Sequence, residues 1–191
     1  MTDAVSISNL ALQKVGAKSI SSLTENTTSG RACNRVYEQA RDSELRSHPW
    51  GFARESVQIA ADATNPPFGA AKRYLLPSDY LRILPTNGTN NTDTQDDFQI
   101  FGRFIHTNQT SPINLVYIKT ITDENLFDAL FVELLASRIA MDIAEQVTQS
   151  NSKIEAARQA YIKAQRDAKS VNAFERSPQN SPTDPWLNAR L

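Results

Sequence analysis

The chain has 191 residues, 40% of them hydrophobic, with 20 basic against 21 acidic side chains and a formal charge of −1. That length supports one hydrophobic core without staples, and near-neutrality removes the global field that draws a protein onto a phosphate backbone or an anionic membrane. The single cysteine, Cys33, excludes an internal disulfide and any multi-cysteine metal centre, no stretch carries the ~18 uninterrupted apolar residues of a bilayer span, and residues 1–12 do not read as a secretory leader.

Residues 3–15 place Ile7, Leu10, Ala11 and Val15 at helical spacing, and Gly16 stands where a left-handed C-terminal cap is wanted. A Ser/Thr-rich connection follows, and its end offers N-caps for a second helix over 29–48 whose inner face reads Cys33, Val36, Tyr37, Ala40. Pro49 stops that helix by pushing His48 out of the α region, and Gly51 frees the backbone to turn between Trp50 and Phe52. His48, Pro49, Trp50 and Phe52 therefore form a corner from which a strand departs.

Strand signals occupy residues 52–119. Val57 and Ile59 alternate around Gln58, Tyr74 to Leu76 are apolar, and Leu81 and Ile83 flank Arg82. Prolines at 66, 67, 77 and 85 argue for edges and bends. Residues 86–97 contain no apolar side chain and read as an exposed loop. Phe98 to Phe101 and Phe104 to His106 flank Gly102–Arg103, the signature of a type II′ hairpin. In the last strand Ile113, Leu115 and Tyr117 share one face and Val116 and Ile118 the other, which predicts cover on both sides.

Helical periodicity returns over 123–147, with Asp123 as the expected N-cap and an apolar circumference that predicts a central position. On a helical wheel Glu133 falls among Val132, Ala140 and Ala144, opposite the other charges, and so is expected to need a partner: a tyrosine, an arginine of the last helix, or a neighbouring subunit. Ser152 and Glu155 read as a capping box for a helix over 152–173, with a seam of Ile154, Ala157, Tyr161, Ala164, Ala168 and Val171. The third helix is acidic, and the fourth is basic, with Lys153, Arg158, Lys163, Arg166 and Lys169 against Glu155 and Asp167. Helices of opposite sign pair within a subunit or across an interface, which makes Glu133, Arg158 and Arg166 candidate inter-subunit residues. From residue 175 onward the composition turns to proline and serine, with Trp186, Leu187 and Leu191 the apolar exceptions, and reads as an extended arm with an aromatic anchor.

Chemistry-bearing motifs are sparse. The two histidines, His48 and His106, stand far from a second strong ligand, and no phosphate-binding glycine motif or nucleophile elbow occurs. Asp93, Asp96 and Asp97 lack the glycine and terminal glutamate of a calcium loop. No catalytic residue, cofactor site or metal site is assigned. The rival reading is a tail-associated carbohydrate or peptidoglycan hydrolase working through paired carboxylates, for which 21 acids supply material but no constellation.

Three stretches together carry a resemblance: Leu45, Arg46, Ser47, His48, Pro49, Trp50, Gly51, Phe52; then Leu76, Pro77, Ser78, Asp79, Tyr80, Leu81, Arg82; then Thr122, Asp123, Glu124, Asn125, Leu126, Phe127. The chain resembles, over roughly residues 5 to 170, the tail tubular protein A family of short-tailed bacteriophages, adaptors between portal and tail. The resemblance implies a structural virion protein, assembled in the host cytoplasm, that forms a ring under the twelvefold portal, supports a nozzle of tail tubular protein B type, and continues the DNA channel without sequence-specific binding. It also implies portal binding by the arm, here through Pro182, Pro185, Trp186, Leu187 and Leu191. The expected class is α+β: one adaptor domain over 1–174 with a β insertion at 52–119, and an extended arm over 175–191.

Overall fold

The computed structural model describes residues 2–84 and 98–175; the loop expected at 86–97 and the arm beyond residue 175 lie outside the described residues. The class is α+β. Among the described residues there are four helices, α1 (Ala4–Val15), α2 (Thr28–Ser47), α3 (Ala129–Thr148) and α4 (Asn151–Phe174), and six strands that fall between α2 and α3 in the chain.

Local chemistry sets the helix ends. Asp3 accepts from the Ser6 amide while the Ser6 hydroxyl takes up the Asp3 amide, so the first turn of α1 is capped reciprocally. Gly16 closes α1 in the left-handed conformation (φ +67°), as its position predicts. Lys153 of α4 then donates to the Val15 carbonyl at 3.0 Å, placing a cation at the negative end of α1.

The third helical segment differs from expectation. Asp123 caps only a 3-10 turn, Glu124–Leu126, and α3 starts afresh at Ala129 under Asp128, whose carboxylate accepts from the Leu130 and Phe131 amides. Phe127 is the break: its backbone is extended, which carries the ring into the core. The start of α4 also differs. The connection from α3 is only Gln149, in the left-handed region, and Ser150, so the helix begins before Ser152. No capping box forms; Glu155 accepts instead from Gln159.

The strands build two three-stranded antiparallel sheets. β1 (Arg54–Ile59) and β3 (Tyr80–Leu84) flank the central β6 (Ile113–Lys119), while β2 (Lys72–Leu75) and β4 (Phe98–Phe101) flank β5 (Phe104–Thr107). Every strand beside a proline-marked bend is an edge, apart from β6, which starts directly after Pro112. Phe101 pairs with Phe104 across Gly102–Arg103, and Gly102 alone of the two has positive φ, which is the type II′ geometry.

The layers are helices, first sheet, second sheet. Val116 and Ile118 of β6 enter the main core with α1, α2 and α3, whereas Ile113, Leu115 and Tyr117 turn to the smaller core that includes Tyr74, Leu76 and Ile105. α3 sits centrally, with Phe131, Leu134, Leu135, Ile139 and Ile143 fully buried. α4 packs through Ala157 and Ala168, but its seam drifts: Val171 is exposed and Asn172 is buried in its place, because a straight helix returns to the same face four residues after Ala168.

In the smaller core the Tyr117 hydroxyl donates to Asp79 at 3.0 Å; burial, reinforced by that bond to an anion, pushes its phenol up to about 12. Between its ordinary value of 10 and 12 the unfolded chain has released this proton and the folded chain has not, so stability falls as pH rises through that window. We expect Tyr117→Phe to flatten the alkaline part of a stability-versus-pH curve measured by denaturant titration; an unchanged slope would remove Tyr117 from this role.

Candidate functional site

The corner at the end of α2 is the best-organised polar and aromatic constellation. His48 leaves the helix with extended backbone, and a 3-10 turn, Gly51–Ala53, leads into β1. The Trp50 indole is buried and donates from Nε1 to the Glu44 carbonyl at 2.8 Å, which satisfies one of the carbonyls that the end of α2 leaves open. Around it, His48, Phe52 and Phe131 pack with ring centroids at 4.6, 6.3 and 5.2 Å, and Phe127 closes the group against Phe52 and Phe131. Gly51 needs no special backbone freedom, since its φ is not positive. A Cβ there meets only Asn172 Oδ1, at an ordinary 3.5 Å.

Asn172, near the end of α4, holds this corner. Its Oδ1 accepts from the Gly51 amide at 2.9 Å, so its Nδ2 donates, and His48 Nε2 accepts it at 2.8 Å. At this nitrogen His48 is therefore an acceptor. We expect Asn172→Ala to lower stability by about 1–3 kcal/mol, the usual cost of stranding buried partners, in chemical denaturation. A loss below ~0.5 kcal/mol would count against the latch.

One turn back from the corner lies the buried acid of the described residues, and it is not Glu133. Glu133 is half exposed, and within the chain its partner is Lys14 of α1, not a tyrosine or an α4 arginine. The buried carboxylate is Glu44, whose side chain is 2% exposed. Its Oε1 accepts from the Tyr161 hydroxyl at 2.8 Å and faces Arg138 at 3.4 Å, while Oε2 has no partner. Arg138 is bonded more closely to Asp142, at 2.9 Å, and its guanidinium lies over the Tyr161 ring. Burial opposes the Arg138 charge, yet the bonds to Asp142 and Tyr161 outweigh it and keep the group protonated. Burial, then the bond to Glu44, raises the Tyr161 phenol.

Arg158 and Arg166 are exposed on the outer flank of α4, and among the described residues no ion pair joins α3 to α4, so the opposite charges of those helices do not neutralise each other within the chain. His106 lies within β5, its ring 4.8 Å from that of Phe101. Both line a groove of about 380 Å³ on the second sheet, with Pro67, Phe68, Gln99 and Asn108; Phe68 is 84% exposed there. Neither this groove nor a shallower depression beside α1 carries a carboxylate. At the corner Arg138 joins two acids, Glu44 and Asp142. Among the described residues no cluster of three His, Cys, Asp or Glu is placed to hold a metal ion, and Asp93, Asp96 and Asp97 lie outside them. Pro182, Pro185, Trp186, Leu187 and Leu191 also lie outside the described residues. No described helix is long and apolar enough to cross a membrane.

Fold and site together define an α+β bundle whose organised centre is a packed corner rather than a cleft with facing reactive groups. No protein-family model and no curated protein matches the chain.

Proposed function

We propose that the chain is a structural virion protein, a head-to-tail adaptor whose copies form a ring between a portal and a tail nozzle. The observation that carries this reading is the convergence of the three stretches behind the resemblance. Arg46 donates to the Leu81 carbonyl, Arg82 reaches back to the Arg46 and Ser47 carbonyls at 3.4 Å, and Phe52 packs on Phe127 at 6.1 Å. Segments far apart in the chain thus meet at one place, the joint between bundle and β unit, where an adaptor needs a fixed angle.

In this reading the bundle forms the ring wall through heterologous contacts, one face of each copy meeting a different face of the next, up to a twelvefold closure. The second sheet, with its aromatic groove and the Gly102 hairpin, is the platform offered to the nozzle protein. The arm from residue 175, through Pro182, Pro185, Trp186, Leu187 and Leu191, engages the portal, since a buried tryptophan supplies much of an interface's energy. Genome DNA passes through the channel without base-specific contact, and no enzymatic step is required.

The test is to mix the purified chain with isolated portal rings and image the product. An added ring is expected, and a chain ending at Phe174 is expected to keep its thermal transition but to fail to attach. Full attachment by the shortened chain would refute the arm's role, and absence of any ring with the whole chain would refute the adaptor reading.

A further inference from the structure

The outer flank of α4 bears a continuous face in which Arg158, Ile162, Arg166 and Lys169 recur at spacings of four, four and three residues. Arg158 and Arg166 are exposed, Lys169 is half-buried, none of the three has a hydrogen-bonding or ionic partner among the described residues, and Ile162 is 41% exposed. Of the two acids of α4, Glu155 stands one turn before Arg158 and is held by Gln159, and Asp167 falls about 140° around the helix from Ile162. The face is an apolar centre within a positive rim.

A counterpart of opposite sign lies where α1 begins and the 3-10 turn precedes α3. Leu126 is 57% exposed there, with Asp123, Glu124 and Asp128 beside it in the chain. Asp3 joins them in space: the Thr2 amide donates to Asn125 Oδ1 at 3.2 Å, and Tyr37, bonded to Glu124, also senses the charge of Asp3. The carboxylates of Asp3, Asp123 and Asp128 are spent on backbone amides of their own turns, and Glu124 on the Tyr37 hydroxyl, so among the described residues none is paired with a lysine or an arginine. This is an apolar centre within a negative rim. A packed apolar centre with a charged border is the usual plan of a protein interface, and complementary borders set partner and register.

We infer that these two surfaces bind each other between successive copies of this chain, Ile162 against Leu126, with Arg158, Arg166 and Lys169 of one copy facing Asp3, Asp123, Glu124 and Asp128 of the next. The two faces differ, so the contact is heterologous and propagates, as a ring requires. The inference rests on the adaptor reading for its setting and assigns the faces that reading leaves open.

The test uses the full chain with cysteines introduced at the two centres and a short bis-maleimide. Cys33 is fully buried, so only introduced thiols react in the folded protein. The double variant L126C/I162C is expected to give a ladder of dimers, trimers and larger species. Either single variant alone should stay monomeric, and a mixture of the two should stop at the dimer. Adding R158E/R166E is expected to cut the cross-linked yield about tenfold or more, since like charges across an interface cost several kcal/mol, with an unchanged melting curve because both side chains are exposed. Dimers from a single variant, absence of the ladder at millimolar protein, or a ladder indifferent to R158E/R166E would each overturn the assignment. So would R158E/R166E abolishing salt-dependent DNA binding while the ladder persists. If wild-type chain adds a ring to portal and R158E/R166E does so equally well, the face assignment fails and the adaptor reading stands; if wild-type adds none, the adaptor reading itself fails.

Discussion

Trp50→Ala should cost about 3–5 kcal/mol in unfolding free energy, the range for deleting a large buried aromatic, against a total of about 5–15 kcal/mol for a typical domain. The indole fills the space between α2, α3 and the turn into β1, with the Phe131 ring edge-on at 5.2 Å and His48 at 4.6 Å. Its N–H also donates to the Glu44 carbonyl, which keeps only the Ser47 hydroxyl at 2.9 Å when the indole is removed. Trp50→Phe separates the two effects. It keeps most of the apolar packing and loses the hydrogen bond, so about 1–2 kcal/mol is expected from that variant. Chemical denaturation of the two variants side by side decides the matter. Equal losses would mean that packing is not what the corner depends on, and a Trp50→Ala loss under ~1 kcal/mol would mean that the corner is not a structural centre.

Glu44→Ala should cost about 2–4 kcal/mol. A hydrogen bond to a charged group is worth roughly 1.5–3 kcal/mol, and loss of the methylene stem leaves a cavity beside Tyr161 and Arg138. The loss stays below the 3–5 kcal/mol expected for breaking a fully buried ion pair because Arg138 is partly exposed and keeps Asp142 as its closer partner. Glu44 acts in this network chiefly through Tyr161, so a double-mutant cycle of Glu44→Ala with Tyr161→Phe should return a coupling of about 1 kcal/mol or more, and one with Asp142→Ala a smaller value. Coupling confined to Asp142 would show that the Tyr161 bond contributes nothing. Glu44→Gln keeps an oxygen to accept from the Tyr161 hydroxyl and fills the same space, so it is expected to fall well short of the alanine loss.

Much of this architecture was legible in residue order. Pro49 between His48 and Trp50, Gly16 after Val15 and Gly102 between two apolar runs each leave one reasonable backbone path, and the structure follows all three. The two-sided pattern of β6 also announced its place between two layers. The division at Phe127 was hidden because Asp123 and Asp128 are equally good caps, and only the demand of the aromatic cluster for the Phe127 ring selects the second. Glu44 was concealed by its type rather than its position. Cys33, Tyr37 and Ala40 step along one face of α2, and the next step of four residues lands on Glu44, but a carboxylate on such a face is read as exposed until its partner is known. That partner, Tyr161, lies 117 residues away. Asn172 was missed for the same reason, since a polar residue continuing an alanine seam looks like its end. Glu133 erred the other way: a wheel places it inward, but it takes no account of Lys14 standing beside it on another helix.

β6 has a mechanical consequence. Ile113, Leu115 and Tyr117 are rooted in the smaller core and Val116 and Ile118 among the helices, so both hydrophobic clusters share a single backbone. Neither cluster can melt alone without stripping cover from one side of that ribbon, and a tilt imposed on the outer sheet is delivered to Ile118 with no hinge between. The molecule therefore responds to load as a stiff bracket, not as two bodies on a tether.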